Sequence, residues 1–221
     1  MIFSKDHNFL LLKNGKVGGT ALEVELSRVL PSNAIVTPAT GNSLEWKIEG
    51  EFYDNYSPRN HKGFWNHMSY SEVKQRIDLK NVKSYIFVRN PYEIVLSHFF
   101  HRLYFVNKNL IWKNLNEKEK DKLIKDYFSN DLGTPWHKST KKLYIENEQV
   151  CIDKFLHYEK GIGFEINEVL SEHNIPNINL TVFSKQFKPK NIKYYEVFSQ
   201  KDLNIIYDDW KWEFVKFGYQ K

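Results

Sequence analysis

Apolar positions along the chain fall into short unbroken runs and into stripes at helical spacing, and the two kinds alternate. Phe9-Leu10-Leu11-Leu12 is a continuous run, as a strand buried on both faces requires. Ala21, Leu22, Val24, Leu26 and Val29 then recur with helical period, predicting a helix over 20–30 that Pro31-Ser32-Asn33 stops. Residues 34–37 read as a further short strand, and Ser84 to Val88 as another. Between them Ser69 and Glu72 have the spacing of a capping box, opening a helix over 69–77. Pro91 sits where a first helical turn tolerates it and starts a helix to about Tyr104. Charged residues over 116–128 carry the stripe Leu123, Ile124, Tyr127 and Phe128. Residues 139–144 read as helical, 149–159 as a strand followed by a turn, and 164–173 and 201–217 as helices. The last has Leu203, Ile205, Ile206, Trp210, Phe214, Val215 and Phe217 as its apolar face and Gly218 as its C-cap. Alternating strands and helices predict the α/β class: a parallel sheet flanked by helices on both faces, in a single domain over 1–221.

Composition narrows the function classes. The chain has 221 residues, 41% hydrophobic, enough for a sizeable core. Its formal net charge of +5 suits an anionic ligand, and non-specific nucleic-acid binding too. The lysines of 116–128 read as a solvated helix face rather than a nucleic-acid patch. Cys151 is the only cysteine, so neither an internal disulfide nor a cysteine-metal cluster is available, and it reads as a small core residue between Val150 and Ile152. No run approaches the roughly 18 apolar residues of a membrane span, and the first residues lack the pattern of a signal peptide. A soluble cytoplasmic protein is therefore expected, without a membrane partner.

Two strand-to-helix turns hold the candidate chemistry. After the run 9–12 comes Lys13-Asn14-Gly15-Lys16-Val17-Gly18-Gly19-Thr20-Ala21. Gly18 and Gly19 let backbone approach an anion, the N–H groups of Gly19, Thr20 and Ala21 would point at it, Lys16 adds charge and Thr20 a hydroxyl. The same pattern also suits a plain tight turn. It is not a Walker A loop, because Lys16 precedes the glycines. The second strand ends in Arg89-Asn90-Pro91, with Ser97 eight positions after the arginine. Arg89 can fork onto a phosphate and Ser97 can donate a hydroxyl; alternatively Arg89 pairs with Glu93 and Ser97 is a surface serine. Ligands of parallel sheets sit at the carboxyl ends of the strands, where both turns fall.

Together these segments resemble the sulfotransferase family that uses 3′-phosphoadenosine 5′-phosphosulfate, most closely the carbohydrate sulfotransferases and their bacterial and viral relatives. Lys16, Gly18, Gly19, Thr20 and Leu22 match its first motif, while Gly15, Val17 and Ala21 depart from it. Arg89-Asn90-Pro91 and Ser97 match its second motif in full. His67 before the 69–77 helix, Tyr158-Glu159 and Tyr194-Tyr195 resemble weaker family features. The resemblance implies a P-loop-like fold. It implies that Lys16, Gly18, Gly19, Thr20 and Ala21 hold the 5′-phosphosulfate, and that Arg89 and Ser97 grip the 3′-phosphate. Sulfuryl transfer to an acceptor hydroxyl, on a carbohydrate or another small hydroxyl compound, would then use Lys16 to stabilise the departing phosphate and His67 as general base. His61, Glu49 and Glu51 are reserves for the base, and no metal is required.

An aromatic, irregular stretch over 46–65 is the candidate acceptor surface, with Trp46, Phe52, Tyr53, Tyr56, Phe64 and Trp65 for sugar faces and Lys47, Arg59 and Lys62 for an anionic glycan. Other readings remain: a P-loop-type nucleotide-binding protein, a small-molecule kinase without sulfuryl transfer, or a nucleic-acid binder.

Overall fold

The computed structural model describes residues 1–38, 58–129, 138–180 and 188–221. The central sheet consists of β1 (Ile2–Ser4), β2 (Phe9–Leu12), β3 (Ile35–Val36), β4 (Lys83–Val88) and β7 (Lys154–His157), in the spatial order β3-β1-β2-β4-β7. A separate hairpin joins β5 (Ile145–Glu146) to β6 (Gln149–Val150). The α-helices are α1 (Gly19–Val29), α2 (Tyr70–Lys74), α3 (Pro91–Val106), α4 (Glu117–Phe128), α5 (Ile162–Glu172) and α6 (Gln200–Phe217).

The protein is therefore mixed α/β, and its sheet is mostly but not wholly parallel. β2, β4 and β7 pair in parallel, with Leu12 opposite Ile86 and Val88 opposite His157. β1 pairs antiparallel with both β2 and β3, so it alone runs against the other four strands. This corrects the all-parallel expectation, and the reason is local. β1 and β2 are joined by a tight turn, in which the Asn8 N–H donates to the Lys5 carbonyl at 3.1 Å and Asn8 adopts φ 50°. A connection that short can only reverse the chain.

The chain packs as two compact units. The first comprises Met1–Arg89 with Thr140–Ser184 and contains the sheet. On one sheet face Phe9, Leu11, Tyr85, Phe87 and Leu156 bury against Leu22 and Leu26 of α1 and Ile166, Val169 and Leu170 of α5. On the other face Leu10, Leu12, Ile86 and Val88 are buried as well. Burial on both faces is why these strands read as unbroken apolar runs. α2 begins with the expected capping box: the Glu72 N–H donates to Ser69 Oγ, and the Ser69 N–H donates to the Glu72 carboxylate at 2.7 Å.

The second unit comprises Asn90–Ser139 with Lys185–Lys221. α3, α4 and α6 share a core that includes Tyr92, Phe99, Tyr127, Phe198, Ile206 and Trp210. Leu203, Ile206, Trp210 and Phe214 of α6 are buried, but Val215 is 73% exposed. At 100° per residue Val215 lies off the stripe that these four define, so the wider apolar face expected for this helix is corrected.

Three further expectations change. Residues 139–144 contain only a short 3-10 turn, Lys141–Leu143. The segment 149–159 is not one strand: β6 belongs to the hairpin and β7 to the main sheet. Asn147 and Glu148 make the hairpin turn, both at positive φ (49° and 63°), the backbone of a two-residue loop that matches strand twist. Cys151 is half-buried rather than a core residue, because it leaves the hairpin beside exposed Val150.

Candidate functional site

Because β2, β4 and β7 are parallel, their carboxyl ends share one edge of the sheet. Leu12 leads there into the glycine turn, Val88 into Arg89, and His157 into Tyr158. Asn14, buried at the start of the turn, ties it to β4: its Nδ2 donates to the Phe87 carbonyl at 3.2 Å, while its Oδ1 accepts from the Gly15 N–H at 2.7 Å. Arg89 then closes the edge. Its Nη1 donates to the Lys16 carbonyl at 2.9 Å, and its guanidinium lies over the Tyr158 ring, 4.2 Å from the centroid.

The turn needs its glycines. Gly18 caps α1 in the left-handed region at φ +77°, and a Cβ there would lie 2.6 Å from Ile162 Cδ1. A Cβ on Gly19 would lie 2.7 Å from Lys13 Cε, because the Lys13 stem runs directly beside that backbone. α1 itself starts without a side-chain cap and without an acidic residue in its first turn, whereas α2, α4 and α6 each carry a full capping box. The N–H groups of Gly19, Thr20 and Ala21 precede the first bond of the i to i+4 ladder, in which the Leu22 N–H donates to the Gly18 carbonyl at 3.3 Å. The positive end of the helix dipole falls at these groups, where a negative charge is stabilised.

The electrostatics agree in sign. Burial, and next the charge of Arg89, lower the Lys16 ammonium to a pKa of about 8. Lys13 is buried and forms a close ion pair with Glu23 of α1; burial lowers its pKa also. That pair fixes the stem against Gly19.

His67 belongs to the same cluster. It adopts φ 59°, two residues before the N-cap of α2, and its Nδ1 donates to the Lys13 carbonyl at 2.9 Å. A carbonyl can only accept, so the proton is assigned to Nδ1 and the lone pair to Nε2. Burial, and next the charge of Lys13, push the imidazole pKa down to about 4, with Lys16 adding to the effect. The ring is therefore neutral at pH 7 and offers Nε2 as a base.

Lys16, Gly18, Gly19, Thr20, Ala21, Arg89 and His67 thus gather at one edge of the first unit. Ser97 lies half-buried on α3 in the second unit and is not among the residues joined here. No side-chain hydrogen bond links His61 to the turn among the described residues; its carbonyl accepts from the Phe64 N–H at 2.8 Å. Arg59, expected on the acceptor surface, instead donates to the carbonyls of Ser27, Leu30 and Pro31 at the end of α1. Trp65 is 43% exposed, with the Arg76 guanidinium 4.8 Å from its ring centroid. Trp46, Lys47, Glu49, Glu51, Phe52, Tyr53 and Tyr56 lie outside the described residues. Lys13, Asn14 and Glu23 were not singled out from sequence. Lysine and glutamate at buried positions carry a signal only once the turn is known to fold back on α1.

No helix among the described residues is long and apolar enough to cross a membrane. Comparison with protein-family models gives no match, and comparison with curated proteins gives none.

Proposed function

We propose that this protein is a sulfotransferase that moves a sulfuryl group from 3′-phosphoadenosine 5′-phosphosulfate to an acceptor hydroxyl, on a carbohydrate or another small hydroxyl compound, on a P-loop-like α/β scaffold. The observation that carries the reading is the 2.9 Å bond from Arg89 to the Lys16 carbonyl, which sets two cations beside the uncapped start of α1. The residues present fit a nucleotide that is anionic at both its 5′ and 3′ positions. The first-turn N–H groups of α1, Thr20 and Lys16 suit its 5′-phosphosulfate, and Arg89 suits its 3′-phosphate. The sequence resemblance adds Ser97 to that second grip, but the reading of the first unit does not depend on it.

The acceptor oxygen would attack sulfur as the bond from sulfur to the 5′-phosphate oxygen breaks in line. His67 Nε2 takes the acceptor proton. Lys16 and the α1 N–H groups meet the charge that develops on the departing phosphate, and 3′-phosphoadenosine 5′-phosphate leaves. A kinase reading is less well supported, since Lys16 precedes the glycines instead of following them.

The test is a calorimetric titration of the full chain with 3′-phosphoadenosine 5′-phosphate, with 5′-AMP as control. Binding that requires the 3′-phosphate and is lost in Arg89→Ala is expected. Equal binding of both nucleotides, or of neither, would remove the sulfotransferase reading.

A further inference from the structure

The second unit has a cleft of ≈ 380 Å³ that the reading above does not use. It lies beside the last turns of α3 and the loop that follows. Phe100, Tyr104 and Trp112 supply aromatic wall, and Ile111 stands at its edge, 59% exposed. The wall is stiff: Trp112 is buried and meets Phe99 and Phe100 edge-on, with ring centroids at 5.5 and 5.4 Å. Lys113, Lys188 and Lys190 complete the lining. Lys188 is held in place, 3.2 Å from the Glu93 carboxylate and 3.3 Å from the Ile192 carbonyl. Lys113 and Lys190 are exposed. The cleft therefore combines an apolar body with a cationic rim, since the single carboxylate on Lys188 leaves the other two lysines to dominate.

Size, wall and charge together select a ligand class. The volume falls within the few hundred Å³ usual for small-molecule sites, which are mostly apolar with a few placed polar groups. Phe105 and Val106, which follow Tyr104 in sequence, are 41% and 54% exposed. We propose that this cleft is a second ligand site, for a small amphipathic anion: an aryl or aliphatic body in the cleft and one sulfate, sulfonate or carboxylate against Lys113 and Lys190. The site uses none of the first-unit residues on which the nucleotide reading rests, because its lining lies entirely in the second unit.

Naphthalene-2-sulfonate is a suitable probe, with naphthalene-2-methanol as its uncharged counterpart, titrated calorimetrically into the full chain. Saturable one-to-one binding of the sulfonate is expected, with the alcohol several-fold weaker. The exposed pair Lys113→Gln/Lys190→Gln should weaken the sulfonate about five-fold and leave the alcohol unchanged. Raising salt from about 50 to about 300 mM on the unaltered protein should weaken only the sulfonate, which keeps the test decisive if the double variant folds poorly. Saturating 3′-phosphoadenosine 5′-phosphate should not displace the probe. Absence of saturable binding, equal affinity for the alcohol, indifference to both salt and the lysine pair, or displacement by the nucleotide would each overturn the proposal. Displacement would assign the probe to the first unit, so failure here and failure of the nucleotide reading remain distinct results.

Discussion

The depressed pKa of His67 makes acid stability a direct test of the site's geometry. In the unfolded chain this imidazole titrates at its ordinary value of 6.5; in the fold burial and the nearby Lys13 charge lower it to about 4. Between those values the unfolded state takes up a proton that the folded state refuses. Stability is then unaffected above pH 6.5 and falls as the pH drops from 6.5 towards 4. The full shift corresponds to about 3 kcal/mol at about 1.4 kcal/mol per unit. His67→Asn is the clean perturbation. Asn tolerates the left-handed backbone at φ 59°, its amide can donate to the Lys13 carbonyl, and it does not titrate. Urea denaturation of both proteins at closely spaced pH values gives the comparison. Above pH 7 the two should be nearly equally stable. By pH 4 the unaltered protein should have lost about 2–3 kcal/mol more than the variant, a midpoint difference of about 1 M or more. Other groups titrating in the same window are common to both proteins and cancel. Parallel pH profiles would refute the buried, Lys13-bonded placement of His67, and the base assignment with it.

Lys16 should take up a proton when an anion binds, because its pKa starts at about 8 and a bound phosphate raises it; titrations at pH 8 in buffers of different ionisation enthalpy should show uptake of up to about half a proton per complex, shrinking towards pH 6.5. Gly18→Ala should cost about 1–2 kcal/mol in urea denaturation, since φ +77° disfavours any side chain and Ile162 must move from a 2.6 Å approach. Arg89→Lys keeps the charge but loses the planar group over Tyr158 and the bond to the Lys16 carbonyl, and should weaken 3′-phosphoadenosine 5′-phosphate about tenfold by calorimetry. In α6, Ile206→Ala should cost about 2–5 kcal/mol, while Val215→Ser should stay within about 0.5 kcal/mol, a contrast that checks the helix face.

Sequence reading went furthest where one local cause decides the structure. β2 and β4 are apolar runs because both sheet faces are buried, and α2 is announced by a capping box complete in both hydrogen bonds. β1 escaped notice because Ile2–Ser4 is too short to show a period; the signal present was the polar stretch 5–8 between two apolar runs. The hairpin turn at Asn147-Glu148 was hidden because glutamate rarely takes positive φ. Val215 was misplaced by counting apolar residues rather than following the helical angle. At the candidate site, Lys16, Gly18, Gly19, Thr20 and Arg89 were readable because strand ends and glycines are local features. The partners that organise them were not. Asn14 on Phe87, Lys13 on Glu23 and His67 on the Lys13 carbonyl are meetings of distant or buried groups, which no spacing encodes.

Those unreadable contacts explain why the charges at this edge are arranged as they are. Lys13 has its own carboxylate in Glu23, so its charge is balanced within the fold. It acts on the site through the stem against Gly19, through the carbonyl that orients His67, and through its charge, which after burial is the next cause of the lowered His67 pKa. Between Lys16 and Arg89 the bond runs from a guanidinium to a backbone carbonyl, and the Arg89 charge is the second cause, after burial, of the lowered Lys16 pKa. Folding has therefore brought like charges together beside a helix start that lacks any acidic residue in its first turn. On the proposed function, a multiply charged anion entering there would offset the repulsion between them. The same anion would raise the pKa of His67 from about 4 towards the range where an imidazole can hold a transferred proton, so anion binding would also tune the base. The proposed anion site thus gives this order of charges a use that a tight turn alone does not call for.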